Sequence, residues 1–556
     1  MNAAGCLLLA CTAQGPQVTD LYEPGEEAHW RIEAGNQLIG RHWSRYDGEV
    51  ELLGVRAHYF EAQVWLKTKT ALGEVEQRYA GELWTDAHGL PLRFVLRAAL
   101  GESYSDVELV FASGEAAAVI HQGSTTRSMK VEVPEGARVL ANNFISHFEL
   151  VLGLEPPPEG EKTKRLFFSA SALKPVPVTF AHVGTFETDA AAGVVLRDSL
   201  GEEIELADTG RVLSLAANGA TFRRTDEPYE RFTLEPPAQR EEDRGDLVEV
   251  DVTIAQGDVR LAGTLSRRKE LEGRLPAVFF VSGSGPQDRN GFASGIDLGT
   301  HEVLDRLARE GFLVLRVDDR GTGGSTGSMT GTSFDELVAD AAACVDFLLE
   351  HDGADAEHVF VIGHSEGGET APLLAARRPQ LAGIVLMAPP GRPVIDVIYE
   401  QNEAVLRKAG ELDEAALAKT MKALRLEMER FCSDAELDPD ELDENFRAML
   451  PHRAWFQSHA RHDPVADIRK VECPVLIVHG ELDFQVSPER DSQPLADALA
   501  EEGHPDFELR VLPGLDHLFK PVPGEVSEAT HYFQNRRVDA AFLELLASWL
   551  EERARK

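Results

Sequence analysis

Ser365 stands in His358-Val-Phe-Val-Ile-Gly-His-Ser-Glu-Gly-Gly368, where an apolar run passes directly into a small-residue helical pattern. A strand, a sharp turn and a helix with serine at the apex lift a hydroxyl clear of a sheet. They also set the next backbone N–H at a helix N-terminus. A serine hydroxyl is a weak nucleophile near neutral pH, so it needs a base, and the base needs a partner to hold its tautomer. In this strand-turn-helix class the chain order is serine, acid, histidine. Asp483 ends the turn after the apolar strand Val475-Leu-Ile-Val-His479, and His517 lies in the loop Leu512-Pro-Gly-Leu-Asp-His-Leu-Phe519 after the next strand. Glu481 is the rival acid, two residues nearer the strand. Asp516 reads as a carboxylate that stabilises its own turn.

The pattern Gly-x-Ser-x-Gly occurs a second time, at Gly323-Gly-Ser-Thr-Gly327. Ser325 there has no strand directly before it and no helix directly after it, so it reads as part of a flexible loop beside the site. The oxyanion of a tetrahedral intermediate needs preorganised donors. One expected donor is the backbone N–H of Glu366. The other is the N–H of Ser284, with Gly283 or Gly285 as one-residue alternatives, in the small-residue loop Ser282-Gly-Ser-Gly-Pro-Gln-Asp-Arg-Asn-Gly291. Gln287, Asp288 and Arg289 either brace that loop or line an acyl pocket.

These residues carry a resemblance. Gly283-Ser-Gly-Pro-Gln-Asp-Arg289, Asp318-Asp-Arg-Gly-Thr-Gly-Gly-Ser325, Gly363-His-Ser-Glu-Gly367, Asp463-Pro464, Pro474 to Val486 and Pro513 to Phe519 together make residues 246–553 resemble an α/β-hydrolase serine esterase. The nearest likeness is to bacterial carboxylesterases with an auxiliary N-terminal domain. The resemblance implies a triad of Ser365, Asp483 and His517, a small-molecule ester substrate, and no metal or cofactor. Many such proteins carry a histidine where this chain has Ser282. The resemblance does not extend to the N-terminal region.

The elements that must position these residues follow from periodicity. Residues 21–235 read as a β-rich auxiliary domain: alternating runs such as Gln63–Lys69, Leu92–Arg97, Val107–Phe111 and Met129–Val133 are separated by turn residues. One curved antiparallel sheet is expected, or two subdomains divided at Pro156–Pro158. Val139 to Leu152 has helical spacing. Trp30, Trp43, Tyr46, Tyr59, Phe60, Trp65, Tyr79 and Trp84 read as core. Pro236 to Gly245 reads as a linker. From 246 to 556 strand-like and helical runs alternate, the pattern of a doubly wound α/β sheet. The strand-free stretch from about 392 to 464 reads as a helical cap over the carboxyl ends of the strands.

Length and charge bound the rest. A chain of 556 residues exceeds one ordinary domain, and a net charge of −39 spread along it argues against nucleic acid. Cys344, Cys432 and Cys473 have no metal-ligand or disulfide spacing and read as small apolar residues. Residues 1–20 read as a signal or lipobox segment. Leu8-Leu-Ala-Cys11 resembles a bacterial lipobox, so export with a lipid anchor at Cys11 is the favoured location and the only membrane attachment expected. No Lys or Arg precedes the run, as a signal peptide would require, and this leaves the cytoplasm as the alternative. Two other functions remain open: an aminopeptidase or acyl-peptide hydrolase using the same triad, and a lipid- or glycan-binding lipoprotein with a vestigial hydrolase domain. The sequence leaves the oligomeric state undetermined.

Overall fold

The computed structural model describes residues 16–555 apart from 53, 71–72, 102, 113, 123–124, 142–143, 159–160, 171–172, 189–190, 218, 235–244, 294–295, 411, 439–441 and 443. The lipobox-like stretch, with Cys6 and Cys11, and most of the expected linker lie outside the described residues. The chain forms two compact units, Met1–Arg240 and Glu241–Lys556.

The first unit is built on a single 15-stranded sheet. Glu26–Ala34 pairs on one side with Gln37–Leu52, from which hairpin follows hairpin to Thr125–Glu132. On its other side it pairs with Ala220–Thr225, and the sheet runs back from there to Lys162–Ser169. Strand alternation buries Phe60, Ala62, Val64 and Leu66 on one face. Against that face packs a helix, Ile145–Phe148, that widens into a π-helical turn, Glu149–Gly153, and buries Phe144, Ile145, Phe148 and Leu152.

Two expectations need correction here. Val139 and Leu140 are not helical: they pair in parallel with Phe168 and Ser169, so tertiary pairing overrides their helical spacing. Tyr59, Trp65 and Trp84 are not core but half-buried on the other face of the sheet. Tyr59 and Trp84 sit opposite each other in register on the face away from Phe60 and Leu83, with ring centroids 4.8 Å apart and the Arg93 guanidinium 4.7 Å from the Trp84 ring.

The second unit contains an eight-stranded sheet in the order Leu247–Gln256, Val259–Arg268, Leu313–Val317, Leu275–Val281, Ala354–His364, Gly383–Met387, Val475–Gly480, Phe507–Leu512. The first two strands form an antiparallel hairpin, the second is antiparallel to Leu313–Val317, and all later pairings are parallel. The inner strands Leu275–Val281, Gly383–Met387 and Val475–Gly480 are almost wholly apolar and buried, as expected where both faces are covered. Phe279, Val361, Leu386 and Ile477 pack against the helices Phe334–Glu350, Glu366–Arg377 and Gln493–Glu501. Phe280, Ile362, Val385 and Val478 pack against Thr300–Arg309 and Ala540–Ala554. Ser333 and Glu336 form a reciprocal capping box at the start of Phe334–Glu350. Between the sixth and seventh strands of the order the chain is helical: Val394–Ala409, Glu414–Cys432, Glu444–Met449 and Arg453–His459. No described helix is long and apolar enough to cross a membrane.

Candidate active site

Ser365 sits between the strand Ala354–His364 and the helix Glu366–Arg377 with φ 54° and ψ −120°, a conformation that an L-residue holds only under constraint. The constraint comes from the surrounding backbone. Ser365 N–H donates to Met387 O at 2.8 Å, and Gly368 N–H donates to Ser365 O at 2.7 Å. A Cβ on residue 363 would lie 1.9 Å from Gly367 O, and one on residue 367 would lie 2.3 Å from Val281 O. The flanking glycines are therefore steric requirements of the turn.

Asp483 and His517 meet, although 34 residues separate them. His517 Nδ1–H donates to Asp483 Oδ2 at 2.6 Å, and both side chains are almost wholly buried. Asp483 Oδ1 accepts from the backbone N–H groups of Gln485 at 2.8 Å and Val486 at 3.0 Å. Burial alone would raise the Asp483 pKa. The charge of His517 and the hydrogen bonds from His479 and His517 outweigh it and hold the carboxyl well below the usual carboxylate range. Burial alone would lower His517, but the Asp483 charge and hydrogen bond raise it above its ordinary value.

The histidine loop is held from several sides. Asp516 Oδ1 accepts from Leu518 N–H and Lys520 N–H, both at 3.0 Å, and Arg536 lies 2.6 Å from Oδ2. Asp516 thus stabilises its turn, as expected. Glu481, the rival acid, accepts from Gly514 N–H at 3.0 Å, and it is Asp483 that His517 meets. His364, the residue before Ser365, donates through Nε2–H to His517 O at 2.9 Å, with the two rings 4.8 Å apart. Burial pushes the His364 pKa down to about 3, so it remains a neutral donor.

The loop Ser282–Gly291 approaches Ser365 from the neighbouring strand. A Cβ on Gly283 would lie 3.1 Å from Ser365 Cβ, so a side chain there would crowd the serine. Ser282 Oγ donates to Asp319 Oδ1 at 2.6 Å, and Gln287 N–H donates to Asp319 Oδ2 at 2.8 Å. Arg289 pairs with Asp318 at 2.8 Å, and Asp288 Oδ1 accepts from Asn290 N–H and Phe292 N–H. The side chains of Asp288 and Arg289 therefore brace the loop, and Gln287 does so through its backbone. Ser284 Oγ donates to Glu366 Oε2 at 3.3 Å, and Trp455 Nε1–H donates to the same oxygen at 3.0 Å. Burial raises the Asp319 and Glu366 carboxyls to about 7 each. Both line a cavity of about 70 Å³ behind the loop, with Ser282, Gly283, Cys344 and Thr370.

Ser325 is buried rather than flexible. Its Oγ donates to Asp318 O at 2.7 Å and accepts from Ala262 N–H at 2.9 Å, which ties the glycine-rich loop to the sheet. Cys344 and Cys473 are buried and Cys432 is half-buried, all three as free thiols. Among the described residues no group of three or more His, Cys, Asp or Glu side chains is arranged to hold a metal ion. Sequence reasoning missed His364, His479, Asp319 and the side chain of Glu366. His364 and Glu366 flank the serine inside the motif, which was signal enough. Asp319 gave none beyond its place in a charged loop.

Residues 291–519 match a family model described as serine aminopeptidase, S33. Esterase EstD of Thermotoga maritima is 28% identical over 278 residues, which cover 50% of this chain and 62% of that protein. Among solved structures, Est1E from Butyrivibrio proteoclasticus is 17% identical with a TM-score of 0.36, over 55% of this chain and 99% of its own. The Pyrococcus furiosus esterase Pf2001 is 18% identical with a TM-score of 0.37, over 58% and 96%. Residues 291–519 are thus similar to the serine aminopeptidase family, and half of the chain is similar in sequence to an esterase of which it spans less than two thirds.

Proposed function

We propose that this protein is a serine hydrolase that cleaves small-molecule carboxylic esters through an acyl-enzyme, with Ser365 as nucleophile, His517 as general base and Asp483 as its orienting acid. The observation that carries the reading is the buried 2.6 Å hydrogen bond between His517 Nδ1 and Asp483, set against a serine held at φ 54° at the head of a helix. With Nδ1 committed to Asp483, the His517 Nε2 lone pair is left to take the Ser365 proton as Oγ attacks the ester carbonyl. The new C–O bond puts negative charge on the carbonyl oxygen, which receives the N–H groups of Glu366 and Ser284. Collapse breaks the ester C–O bond, and the alcohol leaves with the proton held on His517. Water then repeats the sequence on the acyl-enzyme and releases the acid. In this reading the eight-stranded sheet is doubly wound, and the helices within 392–464 form a cap that sets the acyl and alcohol preference.

The description of the matching family keeps an aminopeptidase as the competing reading. A fluorophosphonate probe should label the protein and fail to label Ser365→Ala; labelling of that variant would overturn the nucleophile. Aryl esters of graded chain length should be turned over faster than aminoacyl anilides, and the reverse order would make the protein a peptidase.

A further inference from the structure

Asp483 Oδ2 accepts more than the His517 hydrogen bond. His479, fully buried at the end of the strand Val475–Gly480, places Nε2 3.0 Å from the same oxygen, 3.0 Å from Val486 O and its Nδ1 2.6 Å from Ser492 Oγ. The tautomer follows from the partners. Nε2 faces two acceptors, a carboxylate and a carbonyl, so it must carry a proton. Nδ1 can then accept from the Ser492 hydroxyl, which is itself fully buried. We propose that His479, with its tautomer set by Ser492, is a positioning residue of the reaction: its Nε2–H fixes the Asp483 carboxylate and shares the charge that Asp483 offers to His517. This rests on the triad reading above.

Two consequences follow from the geometry. First, Asp483 is held by three donors besides His517, namely Gln485 N–H, Val486 N–H and His479 Nε2–H, so the carboxylate cannot rotate away from the imidazole. Second, each donor to a carboxylate lowers its basicity, so His479 draws off part of the stabilisation that Asp483 gives to the His517 imidazolium. The other ionisable groups facing this pair are His364 and Asp516 beside His517, and Tyr532 beside Asp483. A staple that only secured the 483–492 loop would satisfy the first consequence without the second.

The test is the pH profile of kcat/KM for an aryl ester with wild type, His479→Leu, His479→Gln and Ser492→Ala. Fluorophosphonate labelling of wild type and its loss in Ser365→Ala decide the triad reading separately. His479→Leu removes the N–H, so kcat should fall about tenfold to a hundredfold with KM little changed, and the acid limb should move up by about one pH unit. His479→Gln restores an N–H donor, so it should recover most of the lost kcat and return the acid limb toward wild type. Ser492→Ala frees the tautomer and should move the limb in the same direction by less. An acid limb that stays in place in both His479→Leu and Ser492→Ala overturns the proposal, as does an equal loss in the Leu and Gln variants. If His479→Leu does not fold, the limb of Ser492→Ala decides.

Discussion

Ser282 Oγ donates to Asp319 Oδ1 at 2.6 Å, which ties the first residue of the Ser365-facing loop to a desolvated carboxyl on the neighbouring loop. Ser282 occupies the position where many similar esterases carry histidine, and the serine keeps a hydrogen bond that fixes the loop from behind. Ser282→Ala should therefore lower kcat about tenfold while changing KM less than about twofold, because in the proposed mechanism the donors of this loop act mainly on the developing oxyanion. Steady-state kinetics on an aryl ester check this, and a change confined to KM would assign Ser282 to substrate binding instead.

Asp319 also gives stability a pH dependence of definite sign. Its carboxyl is raised to about 7 in the folded protein, chiefly by burial, and titrates near 4 when unfolded. Between those values the folded state holds a proton that the unfolded chain has released. Stability from this group is therefore full below about pH 4 and is lost as pH rises toward 7, by on the order of a few kcal/mol. Glu366, raised to about 7 by the same cause, acts in the same direction. Asp319→Asn mimics the protonated carboxyl, donating to Ser282 and accepting from Gln287 N–H. Its melting temperature should fall less between pH 5 and pH 7.5 than that of wild type.

The Asp483–His517 pair predicts the rate profile. Because Asp483 raises His517 above its ordinary pKa near 6.5, kcat/KM should rise with pH through a midpoint above that value. Asp483→Asn removes the charge and presents the wrong hydrogen-bonding group to Nδ1, so kcat should drop about 10⁴-fold. A variant that retained most of its activity would show that another acid orients the histidine.

The parts of the site legible in the sequence were those fixed by local rules. Gly363 and Gly367 flank Ser365 because a side chain at either would strike backbone, and such collisions leave a residue signature. The meeting of Asp483 with His517 was legible because parallel strands deliver loops at one end of a sheet in a readable order. His479 and Asp319 were not, because their roles depend on which loop folds over them, and a lone His or Asp has no spacing that reports this. The same limit applied in the first unit. Helical spacing at Val139–Leu140 yielded to pairing with Phe168–Ser169, a partner too far along the chain for any local pattern to reveal.

The glycines around the site should divide by what they touch. Gly363→Ala would place a methyl 1.9 Å from Gly367 O, and no side-chain movement relieves a backbone collision, so soluble folded protein should be lost. At Gly514, in the histidine loop at φ 70°, a methyl would meet no atom within 4 Å. Gly514→Ala should cost only the backbone strain, about 1–2 kcal/mol, with activity retained. The soluble yield of Gly363→Ala and urea unfolding of Gly514→Ala test the contrast.

Asp491 sets the last prediction. Its side chain is wholly buried, where an ionised carboxylate persists only if it is paired and hydrogen-bonded. Arg392 supplies Nε at 2.9 Å and Nη2 at 2.7 Å, one to each carboxylate oxygen, and Gly391 N–H and Ser487 N–H add bonds at 3.0 Å. The same guanidinium reaches Glu400 at 2.6 Å on the helix Val394–Ala409, so one residue joins that helix to the segment following Asp483. Arg392→Ala strands a buried charge and should destabilise the protein by about 3–5 kcal/mol. Arg392→Lys keeps the charge but not the fork, so its stability should fall between wild type and Arg392→Ala. The double variant Arg392→Leu with Asp491→Leu should be more stable than Arg392→Ala, because the cost lies in the unpaired carboxylate and not in the lost pair. Thermal unfolding of the three variants decides: a double variant no better than Arg392→Ala would place the cost in the link to Glu400.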